Sequence, residues 1–219
     1  YNSVLGNDAG NDITSGEKNV LLGWLAGDKL TSTSQNVVVG AAAGRGAGYT
    51  DNVYIGYGVA NSQSSNSSNN TLIGSGVALS GAMTGGNNTA VGKGSLSSVI
   101  GGSNNVTIGY QAGNSITSGA NNTYIGYSAD ASANDVDDEI VLKAGSDALV
   151  GGGTETVRIG VDSDYITNDF GENATWTHSS DRRVKKDIED NQLGLEFISK
   201  LKTRNFKKKA PSEYPKYLS

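Results

Sequence analysis

Few residues of this chain have the chemistry of a catalytic site. The single histidine, His178, stands directly before Ser179 and Ser180, and an imidazole beside a serine can take the proton of the alcohol. No carboxylate stands at a fixed spacing that would orient this imidazole. We therefore interpret His178 as a linker residue. The sequence offers no triad, carboxylate pair or metal cluster for an enzyme that acts on an external substrate.

An acidic run offers oxygen ligands for a cation. Asp135, Asp137, Asp138 and Glu139 carry the carboxylates that Ca²⁺ prefers, but they lack the glycine-punctuated spacing of a calcium loop. The favoured interpretation is a solvated acidic turn. The chain has no cysteine, so neither a disulfide nor a thiolate metal site is available. We expect no bound metal and no cofactor.

Four aromatic residues are candidate glycan contacts, because each directly follows a regularly spaced glycine. These residues are Trp24, Tyr57, Tyr110 and Tyr127. Stacking of the repeats would align some of them in an exposed aromatic stripe that could hold sugar rings. The alternative, which we favour, is that they cover the edges of the fold or pack between chains.

The elements that must position these residues form a repeat of an Asn, three mostly strand-forming residues and a Gly. The copies are Asn2–Gly6, Asn19–Gly23, Asn36–Gly40, Asn52–Gly56, Asn70–Gly74, Asn88–Gly92, Asn105–Gly109 and Asn122–Gly126. Successive glycines are 17, 17, 16, 18, 18, 17 and 17 residues apart, and such a period indicates a repeat architecture. Two degenerate copies follow, one leading to Gly145 and one ending at Gly160.

The repeat predicts short β-strands with assigned faces. The residue before each glycine is always aliphatic, as in Ile108 and Ile125, and we expect it to face a dry core together with the residue two positions earlier. The residue between them, such as Thr107 or Tyr124, varies and should face solvent or another chain. A small residue three positions after each glycine should pack across a narrow core.

These patterns predict an all-β fold, a β-roll or β-helix with about 17 residues per rung, a rung being one copy with the residues up to the next. A single rung cannot form an independent core, so the rungs must stack. The predicted core is thin for a lone chain. We therefore expect a homotrimer that buries the middle strand positions; a monomeric mass in solution would contradict this.

Charge divides the chain into two parts. Residues 1–179 carry 6 Lys+Arg and 16 Asp+Glu, a net charge of −10, whereas residues 180–219 carry 11 and 6, a net charge of +5. The acidic part lacks the basic face that nucleic acid requires. No apolar run has the length of a membrane span, so neither nucleic acid binding nor membrane insertion is expected. Because the chain opens one residue before a complete repeat, we expect sequence to precede it.

The repeats resemble the NSVAIG-type repeats in the heads of trimeric autotransporter adhesins, and more closely the NNTxIGYxAG repeats of bacteriophage tail fibres. The copies NNTYIGYSA (121–129) and NVTIGYQAG (105–113) carry the likeness. This resemblance implies a fibrous, trimeric β architecture.

Residues 180–201 resemble the start of the endosialidase-type intramolecular chaperone found at the C-terminus of phage tailspikes and tail fibres. The matching patterns are S-D-x-R-x-K-x-D-I and then G-L-x-x-I-x-x-L, the second in a predicted helix with a stripe of Leu195, Ile198 and Leu201. The resemblance implies a chaperone that directs trimerisation and in many members cuts itself off. It makes Ser180 the nucleophile and Lys185 the general base for cleavage of the Ser179–Ser180 bond. The 40 residues from Ser180 to Ser219 are fewer than the family's domain contains.

We therefore predict a virion tail fibre or tailspike that attaches the phage to its host. The predicted partners are two further copies of the chain, a host cell-surface glycan or protein receptor, and other tail components. The predicted domains are a β-repeat array (1–130), degenerate repeats (131–160), a linker or neck (161–179) and a truncated chaperone (180–219). Two alternatives are a bacterial trimeric surface adhesin, which would need a membrane anchor, and a polysaccharide depolymerase tailspike, which would need paired acidic residues in a groove.

Overall fold

The structure, a computed structural model, describes residues 1–46, 49–62, 67–79, 83–172 and 177–178, the last two by their backbone alone. Fourteen strands lie within these ranges. They are β1 (Ser3–Leu5), β2 (Val20–Leu22), β3 (Val37–Val39), β4 (Val53–Ile55), β5 (Thr71–Ile73), β6 (Thr89–Val91), β7 (Val106–Ile108), β8 (Thr123–Ile125), β9 (Ala129–Asp130), β10 (Ile140–Ala144), β11 (Leu149–Val150), β12 (Thr156–Val161), β13 (Asp164–Asp169) and β14 (Thr177–His178). The described residues include no helix long and apolar enough to cross a bilayer.

The strands form a β-solenoid of about nine turns with about 17 residues per turn, which confirms the predicted all-β repeat fold. Strands β1 to β8, β10 and β12 pair in parallel and in register, each with the equivalent strand of the next rung. At the far end, β13 and β14 continue the sheet in antiparallel order. A short parallel pair, β9 with β11, lies outside this sheet.

The predicted faces of the strands were wrong. In β2 to β8 the middle residue points into the core, and Val38, Tyr54, Leu72, Ala90, Thr107 and Tyr124 are all 0% exposed. The flanking residues, which we expected inside, lie on the outer face. In a three-residue strand the alternation of side chains separates the middle position from the other two, but it does not say which face meets the core.

The residue type at the middle position of the strand can vary because the side chains that face it across the core also differ from rung to rung. The small residues three positions after each glycine are buried, including Ala43, Val59 and Ala112, as predicted. The stretch of each rung that follows the small residue contributes larger side chains such as Tyr49. The Tyr49 ring packs edge-on against that of Tyr54, with 5.4 Å between the centroids. Where the strand contributes Thr107, the facing Ser95 Oγ donates a hydrogen bond of 2.7 Å to its hydroxyl. The core is therefore filled rung by rung with different side chains.

The asparagine that opens each copy forms a buried ladder along the solenoid. Asn105 Oδ1 accepts hydrogen bonds from the backbone N–H and the Nδ2 of Asn122, both at 3.0 Å. Asn105 itself donates to Asn88 Oδ1 and to the carbonyl of Gly119, at 3.1 and 2.9 Å. Each asparagine thus joins its own strand to the rungs on both sides, at a place where buried polar groups must be satisfied.

Candidate functional site

The outer face of the long sheet is a candidate interaction surface. Residues before and after the middle position of each strand form two rows along it, and one row is aliphatic throughout. This row, which we call the outer aliphatic row, contains Leu5, Leu22, Val39, Ile55, Ile73, Val91, Ile108, Ile125, Leu142 and Ile159. Exposed fractions of 43% for Leu22, 40% for Ile108 and 38% for Ile125 leave a continuous apolar surface. Such surfaces mark interaction sites.

The row ends in an open apolar trough of about 760 Å³. Ile125, Leu142 and Ile159 of the row form one wall, and Tyr165 and Ile166 of β13 contribute to the lining. Lys143 and Asp164 are the charged residues that line it. The lining is mainly apolar, so the trough continues the outer aliphatic row.

Tyr110 and Tyr127 form a closed aromatic stack on adjacent rungs. Their ring centroids are 5.3 Å apart and their planes differ by 9°. The Lys143 ammonium lies 5.3 Å from the centroid of Tyr127 and donates hydrogen bonds to the carbonyls of Tyr127 and Gly145, at 2.6 and 3.0 Å. Stacked in this way, each tyrosine turns one ring face toward the other, and Lys143 lies over the Tyr127 ring as well.

Trp24 and Tyr57 behave differently from this pair. Their exposed fractions are 53% and 68%, compared with 41% for Tyr110 and 48% for Tyr127. Ring contacts in the described part of the chain involve Tyr49 with Tyr54 and Tyr110 with Tyr127, so neither Trp24 nor Tyr57 stacks on another ring there. Of the four candidate glycan contacts, these two are therefore the most exposed.

The acidic run contains one deeply buried carboxylate, which sequence reasoning placed in a solvated turn. Glu139 is 0% exposed, and its Oε2 accepts hydrogen bonds from the Tyr124 hydroxyl (2.8 Å) and the Ser132 N–H (3.1 Å). Its Oε1 accepts one from the Gly153 N–H at 2.7 Å. Burial raises the pKa of Tyr124, and the neighbouring Glu139 carboxylate raises it further.

Glu139 stands where the next asparagine of the ladder would be, since its backbone N–H donates to Asn122 Oδ1 at 2.9 Å. A carboxylate cannot donate as an amide does, so the ladder ends here. The sequence could have indicated the burial of Glu139, because Glu139 occupies the position that asparagine holds in the eight earlier copies.

No group of three or more His, Cys, Asp or Glu side chains in the described ranges could hold a metal ion. Asp137 instead accepts a hydrogen bond from the Ala120 N–H at 2.6 Å, and so ties one rung to the next. The backbone of His178 belongs to β14, but its side chain, Ser179, Ser180 and Lys185 lie outside the described residues. The Ser/His and Ser/Lys hypotheses, and the helix with Leu195, Ile198 and Leu201, stay predictions.

Comparison of this chain with known protein families, curated proteins and solved structures gives no match. Its function must therefore be argued from the geometry of the solenoid and from its sequence patterns.

Proposed function

We propose that this chain is a structural segment of a homotrimeric virion fibre, a tail fibre or tailspike, that attaches a phage to its host cell. The observation that carries the proposal is the outer aliphatic row, an apolar strip of ten residues along the face of the sheet that no part of the described chain covers. The resemblance of the repeats to tail fibre repeats, and of residues 180–201 to a trimerising chaperone, supports the same reading.

The first argument concerns the sheet itself. Parallel strands with apolar side chains on both faces are typical of sheets that are covered on both sides, and most of the strands β1 to β8, β10 and β12 are such strands. The inner face of this sheet is covered by the core of its own chain, whereas its outer face carries residues such as Leu22 and Ile55, which are 43% and 36% exposed. A second layer is needed, and further copies of the same chain supply one with matching length and spacing.

The second argument is energetic. Covering a side chain that is about 40% exposed stabilises the assembly by about 1–2 kcal/mol at the usual area coefficient. Repeated over the row and the trough, this gain suits the large, apolar interfaces of obligate oligomers. Association thus buries the flanking strand positions, and not the middle positions that we first expected, since these are already buried within one chain.

Three copies around a common axis turn all three aliphatic rows inward and leave the polar turns and the aromatic corners outside. Closed symmetry of this kind ends the assembly at a fixed number of chains. The outer surface of the fibre is then available for a receptor. We infer host attachment from the resemblance of the repeats to those of tail fibres. Burial of the outer aliphatic row accounts for the association of the three chains.

The test is the native mass of the full chain together with its mass after denaturation. We expect a native mass three times the denatured one. The double variant Ile55→Lys/Ile108→Lys places two charges in the row and should dissociate to monomers that keep their β circular dichroism spectrum. Charged groups at the centre of an interface are strongly disfavoured unless they are paired.

The matched control is Asn104→Lys/Asn121→Lys, which adds the same charge at exposed turn positions where an earlier rung already carries Lys18 with φ of +59°. This control should remain trimeric. A monomeric wild-type protein, or a row variant that stays trimeric, would contradict the proposal.

A further inference from the structure

Trp24, Ala41 and Tyr57 form a column along the solenoid, because each directly follows the anchoring glycine of its rung. Backbone hydrogen bonds fix the alignment: the Ala42 N–H donates to the carbonyl of Trp24 at 2.8 Å, and the Gly58 N–H donates to that of Ala41 at 3.0 Å. Two large aromatic side chains are thus separated by one rung whose side chain is a methyl group.

The Tyr110–Tyr127 pair shows how rings at this position are arranged. These two tyrosines lie on adjacent rungs, their ring centroids are 5.3 Å apart and their planes are nearly parallel. Each ring plane is therefore roughly perpendicular to the solenoid axis, and each ring occupies the height of one rung. Trp24 and Tyr57 are two steps apart. At a rung spacing of about 4.8 Å, rings arranged in the same way leave about 10 Å between their centroids. Ala41 is too short to fill that gap.

We propose that Trp24 and Tyr57 flank a slot, with Ala41 as its floor, that binds one pyranose ring of a neutral saccharide. A ring midway in the slot lies about 5 Å from each aromatic centroid, which is the spacing of successive layers along the solenoid. Both faces of a pyranose present C–H groups to such surfaces, while its hydroxyls remain at the rim. This inference rests on the proposed function only for the source of the sugar, the host surface.

The surroundings of the slot favour a neutral ligand. The residues that precede the glycines here, Leu22, Val39 and Ile55, belong to the outer aliphatic row, which the proposed trimer covers, and they bring no charge to the slot. The indole N–H of Trp24 and the hydroxyl of Tyr57 supply the polar contacts that orient a sugar. The net charge of −10 on residues 1–179 disfavours a nucleobase carried by a nucleic acid.

The experiment follows the fluorescence of Trp24 in the full-length protein with Trp176→Phe, so that one indole reports. Maltohexaose, cellohexaose and chitohexaose are titrated to about 10 mM, since a single sandwiched ring is expected to bind with a dissociation constant of about 1 mM, or about 4 kcal/mol. At least one of the three should change the emission saturably. Tyr57→Ala should weaken this binding about tenfold or more.

A slot-filling variant gives the sharper comparison. Ala41→Tyr places a ring between Trp24 and Tyr57, as Tyr110 and Tyr127 already stack, and should abolish binding while the fold is kept. The control Ser75→Tyr adds a ring on the opposite side of Tyr57, leaves the slot open and should bind as the parent does. Circular dichroism and native mass are recorded for each variant.

An emission that none of the three sugars changes, or that changes equally in Ala41→Tyr, overturns the slot. Tighter binding of N-acetyltyrosinamide than of every sugar also overturns it, in favour of an aromatic peptide side chain. A trimer that binds no sugar removes this inference alone, whereas a monomer that binds sugar removes the trimeric fibre and leaves the slot.

Discussion

At the scale of the residue, Asn105 shows how one side chain specifies the stacking of this protein. Its amide receives hydrogen bonds from the following rung and gives them to the preceding one and to the Gly119 carbonyl. The side chain is 0% exposed, so water cannot replace these partners. An apolar residue at this position would leave backbone groups of two rungs unpaired.

Asn105→Ala should therefore lower the free energy of unfolding by about 2–5 kcal/mol, because an unpaired buried donor or acceptor costs about 1–3 kcal/mol. The Asn122 N–H and the Gly119 carbonyl lose a partner. Urea unfolding at a fixed protein concentration measures the change. The control is Asn114→Ala, a half-buried site of the same rung, where we expect less than about 1 kcal/mol. Equal losses at the two sites would contradict a special role for the ladder.

At the scale of the element, the anchoring glycine decides how closely two rungs can approach. At Gly109, where φ is +141°, a Cβ would lie 2.4 Å from the carbonyl oxygen of Gly126 in the next rung. The same contact between anchoring glycines recurs along the solenoid. At Gly92, for example, a Cβ would lie 2.2 Å from the carbonyl oxygen of Gly109. At these rungs, the strand can therefore pair with the next rung only if the residue that follows it is glycine.

Gly109→Ala should cost at least about 2–3 kcal/mol of the free energy of unfolding, since strained backbone alone costs about 1–3 kcal/mol per residue and the rungs must also move apart. Thermal and urea unfolding measure the loss. Gly101→Ala is the matched control, because the nearest atom to its Cβ would be Ser118 Cβ at 4.0 Å. A Gly109 variant as stable as the Gly101 variant would show that the corner can relax.

At the scale of the whole molecule, the end of the asparagine ladder at Glu139 distinguishes one end of the array from the other. Identical rungs can pair in a wrong register at little cost, but only one rung carries Glu139, with its bonds to Tyr124 and Gly153. Glu139 therefore marks the correct register within one chain. In the proposed fibre, a trimerising chaperone at residues 180–219 would set the register between chains.

The predicted self-cleavage is tested on the same scale. If Lys185 takes the proton of the Ser180 hydroxyl and this oxygen attacks the Ser179 carbonyl, the peptide bond is exchanged for an ester, and the released amine of Ser180 takes up the proton. Water then hydrolyses the ester, so purified protein should separate into two fragments on a denaturing gel. Ser180→Ala and Lys185→Met should each keep the chain whole, because a serine needs a nearby base to become a nucleophile. Ser179→Ala is the control and should still be cleaved. A wild-type chain of full mass would contradict cleavage.

Much of the architecture could be predicted from the sequence. The regular glycine spacing predicted the period, the stacking and the strands, because a parallel ladder of rungs requires only a repeated extended segment and a corner where chains approach closely. The aromatic positions after the glycines were also visible, and Trp24, Tyr57, Tyr110 and Tyr127 are all exposed. What these residues touch could not be predicted from their positions alone.

The sequence by itself thus determined that this protein is a solenoid of rungs with about 17 residues each. Only the tertiary structure decided which face of each strand is buried. Ile108 and Thr107 are neighbours in one strand, yet the threonine is 0% exposed and the isoleucine 40%. The reason is that burial depends on what lies across the core, and Ser95, which bonds to Thr107, comes from the preceding rung. The same geometry leaves the aliphatic side chain on the outer face, where the proposed trimer would cover it.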